Sequence, residues 1–246
     1  LHAAGLEVYV VAPARVRGFA RAIGQLAKTD RIDAAMIARY LMAVRSNLTP
    51  HAPDPSCRRL SAIGAHRRRL LAEKSGLVSQ LDTIDEPLVR DLIEERLRTI
   101  AQDIATLDAA IGDVLAQTPR LRKSHARLRQ VTGVGPVLAT ALLADMPELG
   151  KVSSKVAAAL LGVAPYARQS GASDRNGRCA GGRKHRRDIA YMAVLSAIKV
   201  RDPVLGGFYQ RLRTRGKPFK LAMIATVRKL ITILNAIARS DPAFQQ

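Results

Sequence analysis

The apolar residues of this chain recur with the spacing of helices, and the longest regular pattern lies in its middle. Over residues 93–114 they alternate between spacings of four and three positions, which is the a/d stripe of a coiled coil over about three heptads. A less regular stripe runs from Leu60 to Ile84, and Pro87 separates the two. These patterns predict two long helices within residues 56–117, which pair either as an antiparallel hairpin or as a coiled coil between chains. The residues of the regular stripe are Ile93, Leu97, Ile100, Ile104, Leu107, Ile111 and Val114.

The first fifty residues carry a different pattern. Residues 6–11 form a short β-type run that ends at Ala12 and Pro13, and a helical stretch follows. One strand needs partners that this chain does not obviously supply, and position 1 is Leu, so we expect a piece of a longer protein. A second helix is predicted to begin at Thr29 or Asp30, either of which can be its N-cap, and to reach residue 44. A Pro-rich linker follows over residues 49–55.

After residue 119 the pattern predicts shorter helices. A basic helix over residues 120–130 and an apolar helix over residues 137–145 flank the segment VTGVGP, residues 131–136, in the manner of a helix-hairpin-helix. Its glycines, Gly133 and Gly135, either let backbone N–H groups approach a phosphate or simply form the turn. Further helices are predicted over residues 154–161, ended by Gly162, and over residues 191–200, 205–214 and 218–238. Residues 165–182 are predicted to be a loop.

Charge is the first indication of function. The chain has 40 Lys and Arg against 20 Asp and Glu, a formal charge of +20, and this excess is typical of proteins that bind nucleic acid. Nine of the acids lie between residues 81 and 117, whereas residues 203–240 hold eight Lys or Arg and no acid. Because a merely soluble surface mixes the two signs, this segregation favours a nucleic-acid-binding face in the C-terminal half.

The composition also excludes several classes of protein. Hydrophobic residues make up 48% and aromatic residues only 4%, without Trp, so we expect a folded chain with an aliphatic core. No apolar run reaches the roughly 18 residues of a membrane helix, and no signal peptide is apparent. Cys57 and Cys179 lie far apart, which argues against a disulfide scaffold or zinc ribbon and favours two inert thiols in a reducing cytosol.

Two groups of residues could carry chemistry. Asp30 and Asp33 lie three positions apart at a helix start, where they either hold Mg²⁺ or form a carboxylate pair favoured by the helix dipole. Ser170 and Ser173 lie in the predicted loop among many cations, so one of them either attacks a phosphodiester or only contacts phosphate. His185 could move protons or simply be a surface residue. The cations near the serines are Arg168, Arg175, Arg178, Arg183, Lys184, Arg186 and Arg187.

Several short segments occur together in one order: KTDRIDA (residues 28–34), VTGVGP (131–136), GVAP (162–165) running into SG (170–171), GR (177–178) and RGKP (215–218). Together they resemble the DEDD-type insertion-sequence transposases, the IS-one-ten group. The resemblance covers nearly the whole chain, and the ordered set is far more specific than any one segment. One departure is Ala12, where the family usually has Asn before the proline.

The resemblance implies a mainly α chain in three parts. These are the remnant of an RNase-H-like (RuvC-like) α/β domain over residues 1–50, a coiled-coil or helical-hairpin arm over 51–118, and an all-helical serine transposase domain with the helix-hairpin-helix-like element over 119–246. Asp30 and Asp33 would be the last two of four metal-binding acids, and Ser170 the nucleophile. The first two acids are expected before Leu1, so we expect the fragment alone to be inactive.

By the same resemblance, the chain is expected to cut and rejoin DNA as a recombinase, with Mg²⁺ as cofactor. Its expected partners are the DNA of element ends and target, a structured guide RNA, and further copies of itself in a dimer or tetramer, in the bacterial cytoplasm near the nucleoid. The alternatives are a remnant that binds nucleic acid without catalysis and a metal-dependent junction nuclease. The residues expected at nucleic acid are Gly133, Gly135, Arg215, Lys217 and the seven cations near the serines.

Overall fold

The fold is mainly α, as predicted, and divides into two compact units, Leu1–Asp54 and Pro55–Gln246. The computed structural model describes residues 4–27, 29–48, 50, 54–170 and 173–244, and for residues 166–170, 173–178 and 243 it describes the backbone alone. The division into three domains at residues 50 and 118 stays a prediction.

The first unit holds two helices, α1 (Pro13–Ala22) and α2 (Asp30–Val44), and a 3₁₀ helix, Arg45–Asn47. Pro13 begins α1, where its missing N–H costs nothing. The rings of Phe19 and Tyr40 meet edge to face at 5.6 Å and hold the two helices together. The strand predicted over residues 6–11 is wrong, because this described segment has no strand partner with which to form a hydrogen-bonded ladder.

The second unit contains the long helices of the arm, a set of shorter helices and a two-stranded sheet. In chain order its elements are α3 (Pro55–Leu81), α4 (Pro87–Gln117), α5 (Pro119–Leu128), α6 (Pro136–Asp145), α7 (Ser154–Leu161), β1 (Pro165–Ser170), β2 (Ser173–Cys179), α8 (Lys184–Lys199), α9 (Leu205–Thr214) and α10 (Phe219–Ser240).

Helices α3 and α4 form an antiparallel hairpin within the chain. Arg67 on α3 pairs with Asp108 on α4, and Glu73 further along α3 pairs with Arg96 earlier on α4. The regular apolar stripe faces the partner helix, with Ile100 fully buried. The intramolecular alternative is therefore the one observed, and we call this hairpin the arm.

Helix α10 is the centre of the helical core. Nine of its residues are buried, at alternating spacings of one and three, and so form one broad stripe along the helix. It packs against α5, α7, α8 and α9. Among the described residues it is the one helix long and apolar enough to cross a membrane, although half of the apolar stretch is buried in this core.

The loop predicted over residues 165–182 is wrong over most of its length. Strands β1 and β2 pair antiparallel from Pro165 with Cys179 to Ser170 with Ser173, with an irregularity between Tyr166 and Arg168. This β-hairpin was not predicted because its strands lack the alternation of apolar and polar residues by which strands are recognised. Helix α8 also begins earlier than predicted, at Lys184 instead of Tyr191.

Candidate functional site

The two glycines of the VTGVGP turn have different surroundings. Gly133 has a positive φ of 86°, and a Cβ placed on it would lie 2.2 Å from the carbonyl oxygen of Ala193 on α8. Glycine is therefore required at position 133 because the turn packs directly against α8. Gly135 is the N-cap of α6, and nothing lies within 4 Å of its Cβ position. Of the two, Gly135 is the one whose surroundings leave room for a phosphate.

The predicted nucleophile lies at the end of the β-hairpin. Ser170 is the last residue of β1, and its partner in the register is Ser173, the first residue of β2. The two candidate serines therefore form the last register pair before the segment that connects β1 to β2. Gly171, which belongs to the same motif, lies outside the described residues. Three of the predicted cations lie on the same two strands, where Arg168 pairs with Arg175 and Tyr166 with Arg178.

The base of the β-hairpin is held against the end of α7. Gly162 ends that helix in the left-handed conformation, as predicted, with a φ of 82°. A Cβ on Gly162 would lie 2.4 Å from the carbonyl oxygen of Gly181, so the two backbone segments are in contact. The guanidinium of Arg187 donates to both carbonyl oxygens, of Gly162 at 3.0 Å and of Gly181 at 3.2 Å. The hairpin therefore emerges from a fixed base.

Two further predicted cations form ion pairs inside the unit. Arg183 donates to both carboxylate oxygens of Glu148, at 2.7 and 3.2 Å. Arg186 pairs with Asp145, whose carboxylate is only 9% exposed, through an Nε–Oδ2 contact of 3.0 Å. Both guanidiniums thus fix α8 to the helix ends beside it and neutralise two carboxylates.

Lys184 and His185 begin the same helix. Lys184 is exposed and pairs with Asp188 one turn later, at 2.8 Å, which costs little to break in water. Burial lowers the pKa of His185, and the nearby guanidiniums of Arg68 and Arg186 lower it further. Both effects favour the neutral form of the His185 imidazole.

The C-terminal helices carry a basic surface with aromatic rings among the cations. Arg211 lies 5.9 Å and Lys229 4.7 Å from the centroid of the Phe208 ring. Both contacts are within the range of cation–π attraction. Arg215 and Lys217 flank Gly216, which has a φ of 73° and ends α9. We define the C-terminal basic surface as the exposed residues Arg211, Arg213, Arg215, Lys217 and Lys220.

Sequence reasoning named only Arg215 and Lys217 on this surface. The spacing of aromatic residues within residues 203–220 was the available signal, since Phe208, Tyr209 and Phe219 all lie among the cations. The rings of Tyr209 and Phe219 meet edge to face at 6.3 Å, so they join α9 to the start of α10. Nucleic-acid-binding surfaces often combine such rings with cations, because bases stack on rings and phosphates bind the cations.

Asp30 and Asp33 occupy the first turn of α2, as predicted. Thr29 is the N-cap, and its hydroxyl accepts a hydrogen bond from the Ile32 N–H at 3.3 Å. Asp30 is exposed and Asp33 is half-buried. Among the described residues neither carboxylate forms an ion pair or a side-chain hydrogen bond, so their oxygens have free lone pairs.

These two carboxylates fit Mg²⁺ in chemistry but supply only part of its shell. Mg²⁺ takes six oxygen ligands and is commonly bound through one or two carboxylates together with waters and substrate phosphates. The part of the chain that the structure describes contains no group of three or more His, Cys, Asp or Glu side chains arranged for a metal ion. Any further ligands would therefore come from substrate, water or other residues.

Comparisons with known proteins match two parts of the chain to models of transposases. Residues 1–84 match a model of DEDD transposases, described as transposase, and residues 125–210 match the model of the transposase IS116/IS110/IS902 family. The pilin gene-inverting proteins of Moraxella bovis and Moraxella lacunata are each 27% identical over 98% of this chain and 75% of their own length. The uncharacterized 42 kDa protein of insertion element IS900 from Mycobacterium paratuberculosis is 29% identical over 59% of this chain and 38% of its own length.

Proposed function

This chain belongs to the IS116/IS110/IS902 family of transposases, and from that premise we propose that it cuts and rejoins DNA through a serine nucleophile. In the proposed reaction the Ser170 hydroxyl attacks a DNA phosphate. A serine Oγ–phosphorus bond forms, a phosphorus–oxygen bond to the sugar breaks, and the sugar hydroxyl leaves with a proton. The DNA strand is then held covalently until a second sugar hydroxyl reverses the step.

The placement of Ser170 is the observation that carries this proposal. A nucleophile needs a position set by rigid surroundings yet open to a large substrate. Ser170 ends β1 at the far end of the hairpin, whereas the base of the hairpin is fixed by Arg187 and by the contact between Gly162 and Gly181. Arg168 and Arg175 lie on the same strands and would hold the phosphate and stabilise its extra negative charge.

Asp30 and Asp33 would hold Mg²⁺ in this proposal. The ion, when bound, supplies the positive charge that polarises a phosphate oxygen. The residues of this chain contribute two oxygen ligands in the first turn of α2, whose backbone geometry is fixed by the Thr29 cap. Their exposure leaves room for the waters and phosphates that complete the shell.

The proposed partners follow from the charge of the surfaces. The C-terminal basic surface would bind the backbone of DNA, or of the guide RNA that the family resemblance implies, because its cations have few acidic neighbours. Gly135, Lys184, Arg215 and Lys217 remain candidates for direct contacts. Arg183 and Arg186, which pair with Glu148 and Asp145, would instead position α8.

Strand exchange needs two or more active sites, so we also propose a dimer or tetramer joined by the arm.

The test of the nucleophile is a covalent protein–DNA adduct. The protein, expressed from its complete reading frame, is incubated with element-end DNA, denatured and analysed on a gel. Ser170→Ala is expected to abolish the adduct, because alanine has no oxygen to form the bond.

Ser173→Ala is the matched control, since this serine is the register partner of Ser170 on the other strand. The control should retain the adduct. If the adduct persists in Ser170→Ala and disappears in Ser173→Ala, the nucleophile is Ser173. If it persists in the double variant, the serine mechanism is wrong.

The role of the carboxylates has a separate test. Asp30→Asn combined with Asp33→Asn removes both charges with little change of shape, so Mg²⁺-dependent strand cleavage is expected to fall by at least about a hundredfold, the scale of losing a strong electrostatic contribution. Binding of DNA, measured by fluorescence anisotropy, should be unchanged. Cleavage at the unaltered rate would remove the metal role from these residues.

A further inference from the structure

A cavity of about 380 Å³ lies where the base of the arm meets α5, α6 and α8. None of the described side chains that line it belongs to the β-hairpin or the C-terminal basic surface. Its volume falls in the range of cavities that bind small molecules. Most of the wall is apolar and is contributed by Leu60, Ile111, Leu115, Val137, Ala141 and Ile189.

Two glycines of the arm keep this cavity open. Gly64 on α3 and Gly112 on α4 both line it, and both lie inside long helices. Nothing lies within 4 Å of a Cβ built on Gly112, and only the Arg68 guanidinium, at 4.0 Å, approaches one on Gly64. Packing therefore does not require glycine at either position. A glycine inside a helix costs about 0.5–1 kcal/mol relative to alanine, so these two glycines lower helix stability where a side chain would fill the cavity.

The charged groups at the cavity leave one cation unmatched. Arg67 pairs with Asp108 through contacts of 2.6 and 3.1 Å, and Asp145 pairs with Arg186 and accepts from Ser61 at 2.6 Å. Arg68 also lines the cavity, and among the described residues it has no hydrogen bond or ion pair of its own. Burial lowers its pKa and the neighbouring Arg186 lowers it further, whereas Asp145, which already pairs with Arg186, raises it. An anion bound at Arg68 would relieve both effects.

The two histidines of the wall do not add to this positive charge. His125 is buried, with its Nε2 at 3.4 Å from the carbonyl oxygen of Pro136, and burial lowers its pKa. The pKa of His185 is lowered for the same reason. At neutral pH the cavity therefore offers one unmatched positive charge beside an apolar slot, with ring nitrogens that can hydrogen-bond.

We propose that this cavity binds one unpaired nucleotide of a nucleic-acid strand, with its phosphate at Arg68 and its base in the apolar slot between the arm and α6. A nucleotide combines a single negative charge with a flat base whose two faces are apolar, and a chain of net charge +20 meets it chiefly in nucleic acid. The inference rests on the proposed binding of nucleic acid and not on the serine chemistry.

The probe is a 20-base-pair duplex with one bulged thymidine, prepared as DNA and as RNA, and compared with the same duplex without the bulge. Affinities for the full chain are measured by fluorescence anisotropy. The wild-type protein is expected to prefer the bulged duplex by about tenfold, the ratio that one charge-assisted contact of about 1.4 kcal/mol provides. Comparison of the DNA duplex with the RNA duplex shows which of the two nucleic acids supplies the nucleotide.

Gly112→Leu is the decisive variant, because Gly112 lines the cavity, nothing lies within 4 Å of its Cβ position, and leucine has the higher helix propensity. It should remove the preference while leaving the affinity for the unbulged duplex unchanged. Gly76→Leu is the matched control, since Gly76 lies on the arm, outside the cavity, with nothing within 4 Å of its Cβ position. This control should keep the preference.

A second pair of variants tests the charge. Arg68→Gln should reduce the preference about tenfold, and Arg69→Gln, which removes the same charge from an exposed neighbour that does not line the cavity, should not. Equal preference in the wild type and in Gly112→Leu would overturn the proposal, as would equal affinity of the wild type for both duplexes. Failure of the wild type to bind either duplex would instead overturn the proposed function.

Discussion

At the scale of single residues, Asn235 shows how one buried amide joins distant parts of the helical core. It is 1% exposed on α10. Its Oδ1 accepts from the Gly150 N–H at 2.9 Å, and its Nδ2 donates to the Val152 carbonyl at 3.0 Å. Gly150 also packs so closely on Ala238 that a Cβ would lie 2.8 Å from its carbonyl carbon. The segment between α6 and α7 is thus fixed to α10 by polar and steric contacts together.

We expect Asn235→Ala to lower the free energy of unfolding by about 2–4 kcal/mol, because it leaves the buried Gly150 N–H without a partner and opens a small cavity. Urea unfolding followed by circular dichroism measures the change. Gln210→Ala is the control, since it removes a comparable amide from an exposed position on α9. If Asn235→Ala lowers the free energy of unfolding no more than Gln210→Ala does, this account of the Asn235 hydrogen bonds is wrong.

Local signals at single residues were predictable from the sequence, whereas distant partners were not. The helix start at Thr29 or Asp30 and the helix end at Gly162 were predicted because a helix end is set by its own few residues, and the structure shows that Thr29 is the N-cap. The pairing of Arg186 with Asp145 was not, since 41 positions separate the two residues and only the packing of α8 against α6 brings them together. For this reason Arg186 was expected to face nucleic acid.

At the scale of elements, the arm follows most directly from the sequence. The alternation of four and three between Ile93 and Val114 predicted a long helix with one apolar face, and α4 covers that range. The choice between a hairpin and an intermolecular coiled coil needed the structure, because both bury the same stripe. The β-hairpin was missed because its two strands lack the alternation of apolar and polar residues that would have indicated their pairing.

Ile100 tests this view of the arm. It lies in the middle of the stripe and is fully buried against α3. Ile100→Ala is expected to destabilise the arm by about 2–5 kcal/mol, the range for truncating a buried isoleucine, with loss of helical signal at lower urea concentration.

Leu92→Ala is the control for this variant, because Leu92 lies on the same helix but is 63% exposed. It should change the unfolding midpoint by little. If Ile100→Ala lowers the unfolding midpoint no more than Leu92→Ala does, at every protein concentration, Ile100 does not contribute to the hairpin as the structure describes.

At the scale of the whole molecule, the two units differ in how much apolar surface they bury. Among the described hydrophobic residues of the first unit only Ala20, Met36 and Tyr40 are buried, whereas the core of the second unit extends from the arm to α10. Six large apolar side chains in the described part of the first unit are exposed: Leu6, Val10, Ile23, Leu26, Ile37 and Met42. Most of the stability of this chain therefore comes from the second unit, since buried apolar area is the dominant favourable contribution to folding.

The distribution of charge leads to the last prediction. Each phosphate that the protein neutralises on duplex DNA releases condensed counterions, so the logarithm of the binding constant falls with the logarithm of salt concentration by roughly 0.9 per phosphate. Replacing two cations of the C-terminal basic surface, Arg211→Gln with Lys220→Gln, should reduce that slope by about 1.8 and weaken binding to all DNA sequences alike. The matched control, Lys74→Gln with Arg98→Gln, removes the same charge from exposed positions on the arm. Fluorescence anisotropy between 50 and about 300 mM salt measures both slopes. If the two double variants lower the slope equally, binding depends on net charge alone, and the C-terminal basic surface is not the interface.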